Sequence, residues 1–189
     1  MDEADVIMEL EATGALKRGH FKLSSGRHSE AYVQCALLLV DPARAVEMGR
    51  ELAGRIPTDV DLVLCPALGA LIIGFTVALA LDTGMIFAER VDGKMALRRG
   101  FCVPPGARVL IVEDVITTGG SVLELVRLVE EEGASVAGLA SILDRTEHAL
   151  EGYSSYSLLK LDVESFTPEE CKLCRQGKQI DSPGSRYLV

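Results

Sequence analysis

The sequence predicts an α/β fold in which a mostly parallel central sheet is flanked by helices. Between about residues 59 and 161, short apolar runs of strand length alternate with segments of helical periodicity. Such alternation is typical of parallel sheets whose crossover helices cover both faces. The clearest unit is V-L-I-V-E-D-V-I-T-T-G-G-S at residues 109–121, where an apolar strand leads into a small-residue loop and then a helix. The segments before and after this region predict a small lobe over the strand ends.

The bulk composition limits the class of protein. A length of 189 residues with 48% hydrophobic residues fits one domain with a full core. No apolar run reaches the ~18 residues that a membrane span needs, and the acidic N-terminal segment is neither a secretory signal nor a transit peptide. We therefore expect a cytoplasmic protein without a membrane partner. The net charge of −9 argues against nucleic acid as the main partner.

The N-terminal segment predicts a helix, a hairpin and a second helix. Residues 1–18 have apolar positions at helical spacing, with Asp2 as the cap. A Ser/Gly turn divides residues 20–35 into two short strands, which is typical of a hairpin. Asp41 followed by a proline predicts the start of a helix that extends to about residue 56.

The central region predicts strands that alternate with helices, and one stretch without regular structure. Residues 90–105 are polar and basic and have no clear period, so we interpret them as a loop. A C-terminal helix is predicted to begin within residues 167–170, and residues from 177 onward are interpreted as a tail. The predicted core strands are residues 61–65, 85–89, 109–112, 136–143 and 156–161, and the predicted helices between them are residues 71–81 and 120–132.

One stretch of this acidic protein is basic. Residues 90–100 contain four cations and one acid, which gives a local charge of +3. A basic island on an acidic protein suggests a small anionic ligand, and a solvated basic loop is the alternative. The cations are Arg90, Lys94, Arg98 and Arg99, and the acid is Asp92.

Two acids follow the most apolar strand of the sequence. Glu113 and Asp114 stand at the carboxyl end of the predicted strand at residues 109–112, shortly before the small-residue loop at residues 117–121. Ligands of open α/β sheets bind at this end, and free backbone N–H groups at a helix N-terminus suit a phosphate. A site for phosphate alone would avoid negative charge, so the acids suggest sugar hydroxyls, Mg²⁺ or both. The alternative is that one acid only caps the following turn.

The five cysteines do not predict a disulfide framework, because their number is odd and no export signal is present. Cys171 and Cys174 form one C-x-x-C. A tetrahedral zinc site needs four ligands, but the sequence has no second C-x-x-C, and His20, His28 and His148 are scattered along it. We therefore predict no metal-ligating residues and interpret the pair as partly buried thiols, with structural zinc or redox chemistry as the alternative. We expect His28 at the surface.

Motifs spread along the chain resemble those of a known enzyme family. Residues 113–121, E-D-V-I-T-T-G-G-S, look like the phosphoribosyl pyrophosphate (PRPP) motif of type I phosphoribosyltransferases. Residues 21–29 resemble the N-terminal hairpin of the orotate phosphoribosyltransferases, and residues 89–101 resemble their mobile catalytic loop. Residues 143–145 resemble the strand end that presents an arginine to orotate, and residues 171–186 are similar to the tail of one bacterial branch.

The resemblance implies a fold and a reaction. The fold is that of type I phosphoribosyltransferases, with a hood lobe from about residues 1–40 and 162–189 over a core of about residues 41–161. The reaction is transfer of the 5-phosphoribosyl group from PRPP to orotate, giving orotidine 5′-monophosphate and pyrophosphate in de novo pyrimidine biosynthesis. A homodimer with shared active sites is implied, because the mobile loop of this family reaches the neighbouring subunit's site. A different base, or a non-catalytic PRPP-binding regulator, is the alternative.

The resemblance also implies roles for single residues. Lys94 is the predicted catalytic lysine that reaches the pyrophosphate, and Arg98 or Arg99 is the alternate. Glu113 and Asp114 are the predicted catalytic acids, which bind the ribose hydroxyls below the developing positive charge of the ring. The predicted substrate-binding residues are Lys22, Arg90, Glu113, Asp114, Val115, Ile116, Thr117, Thr118, Gly119, Gly120, Ser121 and Arg145.

For two positions of the predicted site, a second interpretation remains open. Arg145 is expected to pair with the orotate carboxylate, because a guanidinium fork suits a planar anion; a surface ion pair with Asp144 or Glu147 is the alternative. Ser24 stands where the better-known branch has a PRPP-contacting lysine. Lys22 lies two residues earlier on the same strand face and could replace that lysine.

The turn after the first core strand is also expected to contact the substrate. Residues 66–70 are small and would approach the pyrophosphate with their backbone; a plain strand–helix connection is the competing interpretation. Mg²⁺ is the implied cofactor and would bridge the pyrophosphate to the ribose oxygens. Such a cation keeps several waters and uses few protein ligands, so no dedicated cluster of ligands need be visible in the sequence.

Overall fold

In the computed structural model, which describes residues 1–23, 25–57, 59–146 and 148–183, the chain forms six helices and nine strands. None of the described helices is long and apolar enough to cross a membrane. The helices are α1 (Glu3–Ala12), α2 (Cys35–Leu38), α3 (Pro42–Ala53), α4 (Leu71–Ala80), α5 (Gly120–Glu131) and α6 (Lys172–Arg175). The strands are β1 (Leu16–Lys22), β2 (His28–Val33), β3 (Leu62–Pro66), β4 (Gly84–Val91), β5 (Lys94–Leu97), β6 (Arg108–Ile116), β7 (Ser135–Asp144), β8 (Ser155–Lys160) and β9 (Ser165–Phe166).

The strands form two sheets. The larger sheet has the order β5-β4-β3-β6-β7-β8, and its neighbouring strands are parallel except for β4 and β5. The smaller sheet is antiparallel, with the order β1-β2-β9. The predicted α/β fold with a mostly parallel sheet is confirmed. Because β3, β6 and β7 are adjacent and parallel, their carboxyl ends lie together at one edge of the larger sheet.

The apolar run of β6 is buried on both faces of the larger sheet. Val109 and Ile111 pack in a cluster that includes the apolar face of α5. Leu110 and Val112 pack in the opposite cluster, which includes the buried residues of α3 and α4. Successive side chains of a strand point to opposite faces, so a strand covered on both sides needs a continuous apolar run.

The N-terminal helix is shorter than predicted. Its cap is as expected, because the Asp2 carboxylate accepts from the Asp5 backbone N–H at 2.9 Å and the Asp5 carboxylate accepts from the Asp2 N–H at 3.0 Å. The helix ends at Ala12 rather than near residue 18, because Gly14 adopts a left-handed backbone with φ of +68°. The chain then enters β1, which pairs with β2 as the predicted hairpin; β2 ends at Val33.

The prediction of an irregular loop at residues 90–105 is wrong over its first part. The chain continues as β4 to Val91, turns at Asp92 and Gly93, and returns antiparallel as β5. Both turn residues have positive φ, +48° and +83°. An Asp-Gly pair between strands favours this tight turn, so the signal was present in the sequence. The basic residues obscured it because they are equally typical of a solvated loop.

The C-terminal segment also differs from its prediction. The predicted helix from residues 167–170 is absent from the described residues, and α6 spans four residues that begin after Cys171. The two-residue strand β9 precedes it and pairs with β2. In the turn between them, the Thr167 hydroxyl donates to the Glu170 carboxylate at 3.1 Å. The Thr-Pro-Glu-Glu pattern therefore forms a turn that connects β9 to α6.

Candidate active site

Three loops meet where β3, β6 and β7 end, and we call this region the strand edge. It comprises residues 66–70 after β3, residues 113–121 from the end of β6 to the start of α5, and residues 144–146 after β7. The backbone N–H of Arg145 donates to the Ile116 carbonyl at 2.8 Å, which fixes the second and third loops beside each other. Ligands of parallel α/β sheets bind at this edge.

The acid pair lies within the last residues of β6, which extends to Ile116 and not only to the predicted end at residue 112. One oxygen of Glu113 accepts from the Asp114 N–H at 3.1 Å, and one oxygen of Asp114 accepts from the Val115 N–H at 2.9 Å. Both side chains are half-buried. Backbone N–H groups of β6 therefore hold both carboxylates at the end of the strand.

Burial raises the pKa of Glu113 from its ordinary value of 4.5 to about 8, with further contributions from the hydrogen bond to Asp114 and from its charge. Glu113 therefore takes up a proton more readily than an ordinary carboxyl group does. A positive charge beside the pair would lower this pKa and release the proton. The electrostatics of the site thus favour a ligand that brings or develops positive charge there.

The loop after β3 approaches the acid pair with its backbone. A Cβ built on Gly69 would lie 3.0 Å from an oxygen of the Asp114 carboxylate, so a side chain at this position would displace that carboxylate. The Ala67 N–H donates to the Ala88 carbonyl at 2.8 Å, which ties the loop to the neighbouring strand. The loop is therefore held close to the acid pair; its expected contact with pyrophosphate stays a prediction.

The predicted phosphate loop leads directly into α5. Gly119 is the N-cap of this helix and has a φ of +76°, a conformation that favours glycine. A Cβ on Gly119 would also lie 2.7 Å from the Leu150 side chain. Thr117 and Thr118 are exposed before it, and Ser121 is half-buried in the first turn. The loop therefore presents hydroxyls and unpaired helix N–H groups at the strand edge.

A cavity of about 1100 Å³ lies between the strand edge and the smaller sheet. The phosphate loop, the loop after β7, the β1–β2 turn and the β9 segment all line it. Several lining residues have charged, hydroxyl or aromatic side chains that could contact a substrate. They include Lys22, Tyr32, Thr117, Thr118, Arg145 and Phe166.

Arg145 lines this cavity with a guanidinium whose pairing is incomplete among the described residues. Its buried Nε has no hydrogen-bond partner among the described residues, and burial lowers the pKa of its guanidinium. The Asp144 carboxylate instead accepts from the N–H of Thr146 at 2.8 Å and from its hydroxyl at 2.7 Å. The alternative partner Glu147 lies outside the described residues. A half-buried guanidinium that lacks a hydrogen-bond partner for its Nε suits an anionic ligand.

The β1–β2 turn brings the predicted Lys22 to the same cavity. Ser24 lies outside the described residues. Arg27 connects the turn to β9, because its Nε donates to the Ser165 hydroxyl at 2.8 Å. The sequence interpretation missed the β9 segment as part of the site. A two-residue strand leaves no periodic signal, and only its pairing with β2 brings it to the cavity.

The basic island lies outside the cavity lining. Arg90 donates to the Glu124 carboxylate at 3.0 Å, and Arg99 donates to the Glu89 carboxylate at 2.9 Å. Lys94 is exposed at the start of β5. The structure therefore does not bring Arg90 and Lys94 together with the other predicted site residues of the same chain.

The fold and the strand edge together define a phosphoribosyltransferase. Residues 43–172 match the family model of the phosphoribosyl transferase domain. The chain is 46% identical over 190 residues to the orotate phosphoribosyltransferase of Pelotomaculum thermopropionicum, with all of both chains covered. It is 50% identical over 181 residues to that of Thermotoga maritima, with 95% of this chain and 97% of the relative covered. The chain belongs to the orotate phosphoribosyltransferase family.

A solved structure supports the same assignment. The crystal structure of orotate phosphoribosyltransferase from Aeropyrum pernix has a TM-score of 0.70 and 28% sequence identity with this chain. The match covers 82% of this chain and 93% of that one. The predicted resemblance and the predicted fold are confirmed.

Proposed function

We propose that this chain transfers the 5-phosphoribosyl group from PRPP to orotate, giving orotidine 5′-monophosphate and pyrophosphate in pyrimidine biosynthesis. The observation that carries the proposal is Arg145, whose buried Nε has no partner among the described residues and which lines the cavity beside Thr117 and Thr118. Orotate is a planar carboxylate, and a guanidinium fork binds such an anion through two parallel hydrogen bonds. The base would therefore be held next to the phosphate loop.

The strand edge supplies what the other substrate needs. In the proposed reaction the bond between C1′ and the pyrophosphate oxygen breaks while the ribose ring gains positive charge, so electrostatic stabilisation carries most of the catalysis. Residues 117–121 bind the 5′-phosphate through backbone N–H groups and hydroxyls. Glu113 and Asp114 accept hydrogen bonds from the ribose hydroxyls and stabilise the ring charge. Residues 66–70 contact the pyrophosphate through their backbone.

The donor set also fits a divalent cation. Carboxylate oxygens are the ligands that Mg²⁺ prefers, and Asp114 lies against the close-packed loop at Gly69. When bound with PRPP, Mg²⁺ neutralises the charge of the departing pyrophosphate. Glu113 and Asp114 would hold such a cation together with the substrate, and its positive charge would lower the raised pKa of Glu113.

We propose a homodimer in which Lys94 contributes to the neighbouring subunit's site. Lys94 is exposed on the β4–β5 hairpin and does not line its own chain's cavity. Leu68, Ile72, Phe75 and Leu79 lie on one face of the α4 region and are 81%, 47%, 60% and 58% exposed. A second copy would bury this apolar stripe. The variant Phe75→Glu should sediment as a monomer if the stripe is the interface.

The test of the proposed function is the loss of orotate absorbance in the ultraviolet. We expect decay that requires both PRPP and Mg²⁺, and no comparable reaction with adenine, hypoxanthine or uracil in place of orotate. Reaction with another base instead would assign a different phosphoribosyltransferase. Binding of PRPP by calorimetry without any reaction would indicate a regulator.

A further inference from the structure

Four potential metal ligands meet at the side of the smaller sheet that faces the C-terminal segment. They are His20 on β1, His28 on β2, and Cys171 and Cys174 at α6, and we call them the His₂Cys₂ cluster. One ligand atom from each lies within 4.8 Å of all the others. The sequence did not predict this grouping, because the four residues are scattered along the chain and become neighbours only when β1, β2 and α6 pack together.

The cluster is mostly buried. His20 is 4%, His28 is 7% and Cys171 is 0% exposed, so the expectation of a surface position for His28 is wrong. Cys174 is exposed and gives a path from solvent. Both cysteines are free thiols. Buried imidazoles and thiols outside a catalytic centre need a structural reason, because burial of polar groups is costly unless they are bound.

Four of the six distances within the cluster are close to those between ligands on one tetrahedral ion. Zn–N bonds of about 2.0–2.1 Å and Zn–S bonds of about 2.3 Å place ligand atoms about 3.3–3.8 Å apart. His20 Nε2 lies 3.1 Å from His28 Nδ1, 3.4 Å from Cys171 Sγ and 3.7 Å from Cys174 Sγ. Cys174 Sγ lies 3.3 Å from His28 Nδ1. All four atoms lie within 4.8 Å of one another, so they are grouped closely enough to be ligands of a single ion.

The orientation of His20 is fixed from outside the cluster. Its Nδ1 lies 2.9 Å from the Lys178 carbonyl oxygen, which can only accept a hydrogen bond. The proton of the neutral ring is therefore on Nδ1, and the lone pair of Nε2 points at the cluster. Metal-binding histidines are typically held in this way by a backbone carbonyl. One lone pair cannot accept from His28 and two thiols at once, whereas a metal ion satisfies all four groups.

We propose that the His₂Cys₂ cluster is a structural zinc site. Two thiolates neutralise the charge of Zn²⁺, so the buried centre carries no net charge when both imidazoles are neutral. Binding releases the thiol protons of Cys171 and Cys174 to solvent. The N₂S₂ donor set is typical of zinc. All four positions are taken by protein, so the site has no open position for catalysis.

The zinc site holds one wall of the substrate cavity. The two histidines flank the end of β1 and the turn after it, which supply Lys22 and Arg27 to the cavity lining. The C-terminal segment runs beside β1, where the Asp181 N–H donates to the His20 carbonyl and the Lys22 N–H donates to the Asp181 carbonyl, both at 2.8 Å. We call β1, β2, β9, α6 and the His₂Cys₂ cluster the clamp. The proposed zinc ion would link β1 and β2 to α6, which lies far from them in sequence.

The test is to measure the metal content of the purified full chain by inductively coupled plasma mass spectrometry. We expect one zinc per chain, and in Co²⁺-grown protein the visible spectrum of tetrahedral cobalt with thiolate charge transfer. Cys174→Ser should lose most of the metal and the cobalt spectrum, and its Tm should fall by roughly 5–10 °C. Cys102→Ser is the matched control, because Cys102 is also exposed but lies outside the cluster.

Several outcomes overturn the proposal. A wild-type chain that holds no zinc, and does not take up Zn²⁺ or Co²⁺ when reduced, has no metal site here. A Cys171–Cys174 disulfide in protein purified without reductant, with no metal, would assign the pair to redox chemistry. Metal content unchanged in both Cys174→Ser and His28→Asn would place the metal elsewhere. None of these readouts depends on orotate transfer, so the proposed function stands or falls separately.

Discussion

The two walls of the substrate cavity are assembled differently. At the strand edge, residues 113–121 supply both acids and the phosphate loop from one continuous segment. In the clamp, His20 meets Cys171 and Cys174 across 151 and 154 positions of sequence. The difference matches the two proposed roles, in which the strand edge carries the chemistry in a short motif and the clamp holds its shape through long-range contacts. Variants of the strand edge should therefore lower catalysis, and variants of the clamp should lower stability first.

The largest effect is expected for Arg145→Ala. Truncating one partner of a buried, charged hydrogen-bonded pair costs about 2–5 kcal/mol, so kcat/KM for orotate should fall about 30- to 5000-fold. Steady-state kinetics with varied orotate measures this. Arg18→Ala is the control, because Arg18 is a clamp residue that is 68% exposed and pairs with Glu11. An Arg145→Ala enzyme as efficient as the wild type would remove the main support for orotate.

The next effect is expected for Lys94→Ala. A cation that reaches the pyrophosphate only in the transition state should change kcat by about 10²-fold and the affinity for PRPP far less. Turnover and PRPP binding by calorimetry separate the two quantities. Lys17→Ala, an exposed lysine on β1, serves as the control. Unchanged turnover would leave Arg98 or Arg99 as the catalytic cation.

Gly119→Ala should act on both stability and PRPP binding. A left-handed backbone and a Cβ contact of 2.7 Å with Leu150 predict a loss of about 1–3 kcal/mol of stability, with a KM for PRPP raised about 10-fold. Gly152→Ala is a matched control, since Gly152 has a φ of +86° and a Cβ at this position would meet no atom within 4 Å. Equal losses in both variants would show that the Leu150 contact is unimportant.

The last expected effect is a pH dependence of stability that arises from Glu113. Its pKa is about 8 in the folded chain and 4.5 ordinarily, so the folded state binds the extra proton between these values. The free energy of unfolding should therefore decrease as pH rises through this window. Glu113→Gln should flatten the decrease, measured from urea midpoints at about pH 5.5 and about pH 8.5. Glu151→Gln, at an exposed position, should leave the slope as in the wild type.

The strand edge could be predicted from sequence because its signals are local. An apolar run buried on both faces, two acids and a small-residue loop occupy consecutive positions, and parallel strands bring their ends to one edge. The predicted roles of Glu113, Asp114 and Arg145 stay predictions until substrates are tested. Their positions at one edge of the sheet follow from the order of the strands.

The clamp could not be predicted in the same way. His20 and His28 have no metal-binding spacing in sequence, and only the antiparallel register of β1 and β2 brings them side by side. The helix that was expected at residues 167–170 is a turn, which lets Cys171 begin α6 beside the histidines. The Asp-Gly turn at residues 92–93 is different, because its local signal was available and the surrounding charge concealed it.

A crystal structure of the full chain with orotidine 5′-monophosphate would show whether the cavity binds nucleotide as proposed. We predict the phosphate within hydrogen-bond distance of the backbone of residues 117–121, and the base carboxylate on the Arg145 guanidinium. The ribose hydroxyls should lie on Glu113 and Asp114. A nucleotide bound outside this cavity, or one whose carboxylate leaves Arg145 paired with a protein carboxylate, would refute the assignment of the strand edge as the site of phosphoribosyl transfer.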